Sequence, residues 1–588
     1  MQVLIDFCDP HGGGSTLRCA FDAPLQTLVA QTLAEVKPLL DQVSALSQQG
    51  FWCVGYLRYE AAPAFDAALA VHQADGPLAW FGVYPQALPW PDETSAQETT
   101  QVSWRNTLSR ADFEAHMAHI HQAIAAGEFY QVNYTAPLTG EFTGSPLELF
   151  SRLQRAQPQG YAAYFDTGLE QLLSVSPELF FDWQPGADRH SGQILTRPMK
   201  GTAPRGNSPA EDAALAQAMQ ASPKERAENV MIVDLLRNDL SRIAEPFSVK
   251  VPELFKVQTL PTVFQMVSDV TAHTRPGIRL TDVFTALFPC GSITGAPKVQ
   301  AMRTLQTLEP EPRGVYCGTI GVVRPGGHAT FNVAIRTVTL RGPAARCGIG
   351  SGITFDASAA AEWQEWQHKR AFLDRASTGF ELLETLRLER GEFINLIAHL
   401  ARLKRAARHF GYVFDENSIQ AALQALRAEV DTDHNVWRVR LLLAANGQVQ
   451  AEKFIHNQLL APVLIAQAAT PFEATKSEFT RFKTTRRAHY EAFAPTNPEV
   501  FDTLLYNVQG ELTECTRGNI ALKLDGQWLT PALHCGLLDG VGREMALQQG
   551  RLREAVIRLE DLPRVQAVAF VNSLRGWVQA RLITPITS

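Results

Sequence analysis

A short break, Ser377-Thr378-Gly379, limits what this sequence can fold into more than any other feature. Before it, short strand-like runs alternate with a few helical stretches. After it, the strand-like FELLETLRLERGEF leads into the helix-like NLIAHLARLKRAARHFG. With 588 residues, 45% of them hydrophobic, the chain exceeds what one core can organise. Two mixed α/β (α+β) domains are expected, covering residues 1–376 and 377–588.

The net charge of −7 is spread without long like-charge blocks, so there is no basic stripe for nucleic acid and no polybasic helix for a membrane. The eight cysteines are scattered from Cys8 to Cys535 with no C-x-x-C pair. Neither a zinc site nor a disulfide framework is indicated, and a reducing, cytoplasmic setting is expected. No run approaches the roughly 20 apolar residues of a membrane span, and QVLIDFCDP after Met1 lacks the charged start of a signal peptide. Small-molecule chemistry is the default expectation.

Within the first hundred residues short strands and one helix are expected, ending in the polar stretch PWPDETSAQETTQVS as an exposed connection. A helix is expected from Ala111 to Gly127 and a strand over FYQVNYTAPLTG. Two further helices are expected, Ser222–Ala244 and Ser358–Ala376. In the first, Glu225 stands three positions after Ser222 as in a capping box. Glu225 and Glu228 share one helical face, as do Glu362 and Glu365. If the four acids converge they suit a hard cation such as Mg²⁺. On spacing alone they equally suit solvated faces, with Glu365 pairing to Lys369 at i,i+4. Lys200 lies in TRPMKGTAPRG among Pro198, Gly201, Pro204 and Gly206, a composition that predicts a tight loop with its ammonium in water.

Six segments, SPELFF, TRPMKGT, KERAENVMIVDLLRNDL, GSITGAPK, RGVYCGTIG and GSGITFDASAAAEWQEWQHK, occur in that order across residues 176–369. The set resembles the chorismate-utilising enzymes, a family that includes the anthranilate, isochorismate, salicylate and aminodeoxychorismate synthases. The resemblance covers most of residues 50–370. It implies a sandwich of two large, mostly antiparallel sheets with outer helices, as in anthranilate synthase component I. Most members have alanine at the position of Lys200, whereas PMKGT is similar to the corresponding segment of the aminodeoxychorismate synthases.

The resemblance implies chorismate as substrate and Lys200 as a nucleophile that adds at C2 while the C4 hydroxyl leaves. Ammonia then adds at C4 and expels the lysine. Attack needs the free amine, which a nearby cation favours. Glu178 matches the family's general acid. Glu228 and Glu365 resemble the principal Mg²⁺ ligands, with Glu225 and Glu362 beside them. Thr202, Gly201, Tyr316, Arg336, Gly350 and Lys369 resemble the groups that hold the substrate and its carboxylates. Gln131 stands where the water-using members carry a lysine base, which argues against isochorismate or salicylate chemistry. The family pattern V-x-H-L-x-S reads VFQMVS here, so Gln265 replaces a histidine that usually faces the ring. No glutaminase segment is recognisable, and ammonia is expected from a separate glutamine amidotransferase subunit or from solution.

After the break, HLARLKRAA, RFKTTRRAHY, GELTECTRGNIAL and LTPALHCGLLDGVGREMAL resemble the class IV pyridoxal-phosphate enzymes. These comprise branched-chain and D-amino acid aminotransferases and aminodeoxychorismate lyase. The resemblance implies a fold of two small α/β subdomains and allows a dimer through this domain. It implies that Lys483 carries pyridoxal phosphate covalently and acts as the base, while Glu514 keeps the pyridine nitrogen protonated. Arg402 and the backbone amides of Val541 and Gly542, after the Gly540 turn, would hold the phosphate. Thr385 falls where the lyases place a small hydroxyl. Family members usually open Y-G-D-G-x-F-E-T, and this chain has STGFELLET instead.

The two resemblances fit one another, because a first site making 4-amino-4-deoxychorismate would supply a second that releases 4-aminobenzoate and pyruvate. Two other readings stay open on the sequence. The C-terminal half could transaminate a D- or branched-chain amino acid, or one half could be a non-catalytic scaffold.

Overall fold

The computed structural model describes residues 1–583 apart from 15, 92–99, 187–189, 206–208, 260–262, 431–434, 458, 460 and 461. Gly206 and most of the connection expected over residues 89–103 lie outside the described residues. The chain divides into two compact units, Met1–Gly379 and the chain from Phe380 onward. The composition changes slightly earlier, because Ser377 and Thr378 still pair with the first unit. Val102 N–H donates to the Ser377 carbonyl at 2.9 Å, and Thr378 bridges Gln101.

The first unit contains a nine-stranded and a ten-stranded sheet among the described residues, antiparallel throughout. Successive side chains of a strand face opposite ways, and here both faces are buried. In Gln2–Phe7, Val3, Ile5 and Phe7 enter the core shared by the two sheets, while Leu4 enters the core under the helices of its own sheet. In Trp52–Leu57, Val54 and Tyr56 join that shared core and Cys53 and Leu57 face the opposite helical layer. The result is four layers: helices, sheet, sheet, helices. Double burial explains why these strands read as nearly continuous apolar runs rather than alternating ones.

TRPMKGTAPRG is not the loop its composition predicts. It forms the end of the strand Gly192–Arg197 and the strand Met199–Pro204. Among the described residues the second of these pairs only with the strand Val263–Thr274, at the end of the ten-stranded path. An edge position needs donors on one flank only, so Pro204 is tolerated there. Between Met199, opposite Val267, and Thr202, opposite Gln265, the Lys200 strand has one residue more than its partner. Gly201 absorbs this bulge at φ +85°.

The expected helices are present as Arg110–Ala125, Pro223–Ser241 and Ala359–Ala376. Ser222 caps the second by accepting from Glu225 N–H at 3.4 Å, and Ser358 caps the third by accepting from Ala361 N–H at 3.3 Å. The carboxylate of Glu225 lies beside Gly201, where an added methyl would come within 2.5 Å of its Oε2.

In the second unit, Leu382–Glu389 lies inside a four-stranded antiparallel sheet. The helices Leu396–Phe410 and Glu416–Ala428 cover it, burying Leu400, Leu403, Phe410, Ile419 and Leu423 against Leu382, Leu386 and Leu388. The first helix stops at Gly411, which takes the left-handed conformation at φ +69°. The rest of the unit is built on an eight-stranded mixed sheet with its own core. Among the described residues no helix is long and apolar enough to cross a membrane.

Candidate functional site

The first site forms where the Lys200 edge strand meets the turn before Leu179–Gln184 and the strand Ala344–Ile353. Glu178 is 3% exposed, and burial pushes its carboxyl up to about 7, against a hydrogen bond with Ser292 and the charge of Lys200. Its Oε1 has no hydrogen-bond partner. Lys200 Nζ donates to the Ser292 carbonyl at 3.5 Å, so one residue touches both the amine and the acid. A methyl on Gly352 would sit 2.9 Å from Lys200 Nζ and would overlap Gln131 Nε2, which places both side chains over the same bare spot of backbone. Gln131 leaves both its amide oxygen and its amide nitrogen buried without partners, and Gln265 leaves its oxygen so. Buried polar atoms are rarely left unpaired, at about 1–3 kcal/mol each, so this cluster is chemistry arranged for a polar ligand.

Gly348, Gly350 and Gly352 share one face of Ala344–Ile353. The Tyr316 ring lies against Gly348 and the Thr135 methyl is 2.5 Å from where a Cβ of Gly350 would be, so the row runs from Tyr316 to Lys200. Tyr316 also lines a cavity of about 380 Å³ with Thr135, Glu309, Arg313, Thr337 and Gly348. Next to Thr337, Arg336 adopts φ +50° and lies over the Phe372 ring at 5.7 Å. Among the described residues it forms no ion pair, and burial pushes its pKa down to about 10. A half-buried, desolvated guanidinium without a counter-ion is suited to receive an anion. Lys369 is more engaged than its expected role suggests: it donates to the Gly350 carbonyl at 2.9 Å and pairs with Glu365 at 2.7 Å. Thr202 is exposed on the edge strand.

The four glutamates face one region, and Glu225, Glu228 and Glu362 each feel at least one of the others. Burial raises Glu225 and Glu228, with repulsion from Glu365 adding to it in both. Burial also raises Glu362, although Ser351 Oγ donates to it at 2.6 Å. Glu365 is held below the usual carboxylate range despite burial, chiefly by Lys369. Among the described residues no three acidic, histidine or cysteine side chains are gathered closely enough to hold a metal. The donor set nonetheless fits a hard divalent cation: all ligands are oxygens, and the mutual repulsion is what such a charge relieves.

The second site lies in the C-terminal unit. Burial lowers Lys483 to about 7, and the neighbouring Arg487 and Arg402 push the same way. Burial raises Glu514 to about 7, although the Tyr490 hydroxyl donates to its Oε1 at 2.7 Å and Leu538 N–H at 3.1 Å. A half-buried amine titrating near neutrality and a buried acid lacking a full counter-charge fit a group that brings an aldehyde and a ring nitrogen. Arg402 donates twice to Glu384, at 2.8 and 2.6 Å, and once to the Asp539 carbonyl at 3.1 Å. Asp539 precedes Gly540, the N-cap of the helix Val541–Gln548, whose first amides are those of Val541 and Gly542. A methyl on Gly542 would come within 2.5 Å of the Asn572 backbone, so only glycine permits this approach.

Ser292, Arg487, Tyr490, Glu384 and His399 belong to these two constellations and are not among the expected site residues. All five stand inside motifs already singled out, in GSITGAPK, RFKTTRRAHY, FELLET and HLARL. Glu384 in particular carries a charge at an alternate position between Leu382 and Leu386, a pattern that demands a buried partner.

Aminodeoxychorismate synthase component 1 of Klebsiella aerogenes is 41% identical to this chain over 286 residues, 48% of this chain and 62% of that protein. The protein of the same name from Salmonella typhimurium is 38% identical over 297 residues, 50% of this chain and 63% of that protein. The chain thus spans a little under two thirds of the length of these relatives. Anthranilate synthase component I from Streptococcus pneumoniae shares the fold of the first unit, with a TM-score of 0.53 at 23% identity over 63% of this chain and 92% of that one. Residues 381–583 match the class IV amino-transferase family, which implies pyridoxal phosphate at the second site. Residues 14–375, more than half of the sequence, match the chorismate binding enzymes, and the chain belongs to that family, with a class IV domain following in the same polypeptide.

Proposed function

We propose that this chain carries out two successive steps from chorismate to 4-aminobenzoate. The observation that carries the reading is Lys200, a primary amine held beside Glu178, whose buried carboxyl titrates near 7 and keeps one oxygen unpaired. Lys200 Nζ bonds to C2 of chorismate, both ring double bonds shift, and the C4–O bond breaks. Glu178 gives its proton to the departing hydroxyl, which leaves as water. Ammonia then bonds to C4 and the C2–Nζ bond breaks, returning the amine. Arg336 meets a substrate carboxylate. Glu228 and Glu365, with Glu225 and Glu362, would hold Mg²⁺, whose charge would neutralise a carboxylate of the substrate. The names of the similar synthases support this first step, and ammonia from a separate glutamine amidotransferase subunit fits a chain called component 1 in its relatives.

In the second unit, pyridoxal phosphate supplies an electron sink for the amine-bearing carbon. Lys483, half-buried and lowered to about 7 so that about half of its amine is uncharged at pH 7, would be suited to hold the aldehyde and then to take the C4 proton. The C3–O bond breaks as the ring becomes aromatic, and the departing enol takes up a proton to become pyruvate. Glu514 would meet the ring nitrogen of the bound cofactor, and Arg402 with the amides of Val541 and Gly542 would take its phosphate.

Purified chain incubated with chorismate, Mg²⁺, ammonium and pyridoxal phosphate should release 4-aminobenzoate and pyruvate in equal amounts, measured by chromatography. Anthranilate as the sole aromatic product would overturn the first step. Accumulation of 4-amino-4-deoxychorismate with no 4-aminobenzoate would overturn the second.

A further inference from the structure

Glu384 is 1% exposed on the strand Leu382–Glu389, whose alternate residues Leu382, Leu386 and Leu388 are core. A carboxylate at such a place is costly unless paired and hydrogen-bonded. Arg402 meets it with two parallel bonds, Nε to Oε1 at 2.8 Å and Nη2 to Oε2 at 2.6 Å, and His399 Nδ1 adds a third at 2.7 Å. Together they hold Glu384 at about 2 despite its burial. An ionised carboxylate only accepts, so His399 carries a proton on Nδ1. Its Nε2, 2.8 Å from Ser573 Oγ, ties the histidine to the opposite wall.

Arg402 is therefore held on two sides. Two of its five N–H groups serve Glu384, and a third, on Nη1, serves the Asp539 carbonyl at 3.1 Å. Of the remaining two, one is on Nη2 beside Glu384 and the other on Nη1, the nitrogen that reaches Asp539 at the start of the helix Val541–Gln548, where an anion is favoured. A free arginine side chain would lose rotamer entropy on taking up that orientation for each ligand it binds. Here the bonds to Glu384 and Asp539 have already set it.

We infer that Glu384 is a positioning residue that makes the second site selective for a phosphorylated aldehyde: it fixes Arg402 in the orientation that meets a phosphate, and His399 fixes Glu384. The inference rests on the pyridoxal-phosphate reading of that site. The test compares dissociation constants of the full chain for pyridoxal phosphate and for pyridoxal, by fluorescence titration. In Glu384→Gln the constant for pyridoxal phosphate should rise on the order of tenfold or more, the size seen when outer partners of charged ligands are removed at metal sites. The constant for pyridoxal should stay the same, and Glu384→Asp should restore part of the preference. His399→Gln keeps the Arg402–Glu384 pair and should show a smaller loss in the same direction. It also serves as the test should Glu384→Gln fail to fold, as read by circular dichroism.

An unchanged preference in the variants, or equal weakening of both aldehydes, overturns the inference while leaving the cofactor reading intact. A native chain that binds neither aldehyde overturns both.

Discussion

In the proposed first step the chemistry turns on Glu178, and its titration gives a signed expectation. A carboxyl raised by burial to about 7 is neutral below that pH and charged above it. As a general acid it acts only when neutral, so the amination rate should fall as pH rises through about 7. Glu178→Gln cannot donate a proton and should lose about 10²–10⁴-fold in rate, together with that descending limb. A pH–rate profile of ammonia-dependent chorismate consumption checks both points, and an unchanged limb in the variant would assign the titration to another group. The acid itself was legible in SPELFF only through its company with the other motifs. Its raised pKa was not legible, because burial is a property of the packed sandwich. Glu384 escaped notice for the same reason: FELLET shows a charge among leucines, but its partner Arg402 stands 18 residues further on another element.

At the scale of elements, helix periods and caps were written locally, and they hold. Ser222 and Ser358 cap the helices whose glutamate pairs point one way, as spacing alone dictates. What spacing does not contain is that two such helices bring their glutamates to one region, since that depends on the sheets between them. The Lys200 strand is the clearest misreading. Its prolines and glycines signal a loop, whereas a one-sided edge with a bulge accommodates the same residues. The strand Ala344–Ile353 carries a sharper consequence. Gly352→Ala places a methyl against Lys200 Nζ and Gln131 Nε2. Both ends are flexible side chains, so the fold should survive with a melting temperature within a few degrees of the parent. Amination should nevertheless drop by about two orders of magnitude, because a displacement of about 1 Å is enough to spoil an attacking geometry. A variant that melts normally and aminates normally would remove Gly352 from the site.

For the whole molecule, the two units have separate cores, and each holds its proposed site residues within its own stretch of chain: 131–369 in the first and 384–573 in the second. No proposed catalytic side chain is lent by one unit to the other. This separation allows the two steps to be broken independently and rejoined. Lys200→Ala should leave the second step intact but give no amination product. Lys483→Ala should convert chorismate and ammonium to 4-amino-4-deoxychorismate and stop there. Neither variant alone should form 4-aminobenzoate. Mixed in one tube with Mg²⁺ and pyridoxal phosphate, they should form it after a lag that shortens as the concentration of Lys200→Ala chain rises, because the intermediate must leave one chain and enter another. Fluorescence of 4-aminobenzoate follows the time course directly. Product from Lys483→Ala alone would show that the second unit does not perform the elimination, and absence of product from the mixture would show that the two sites do not communicate through a released intermediate.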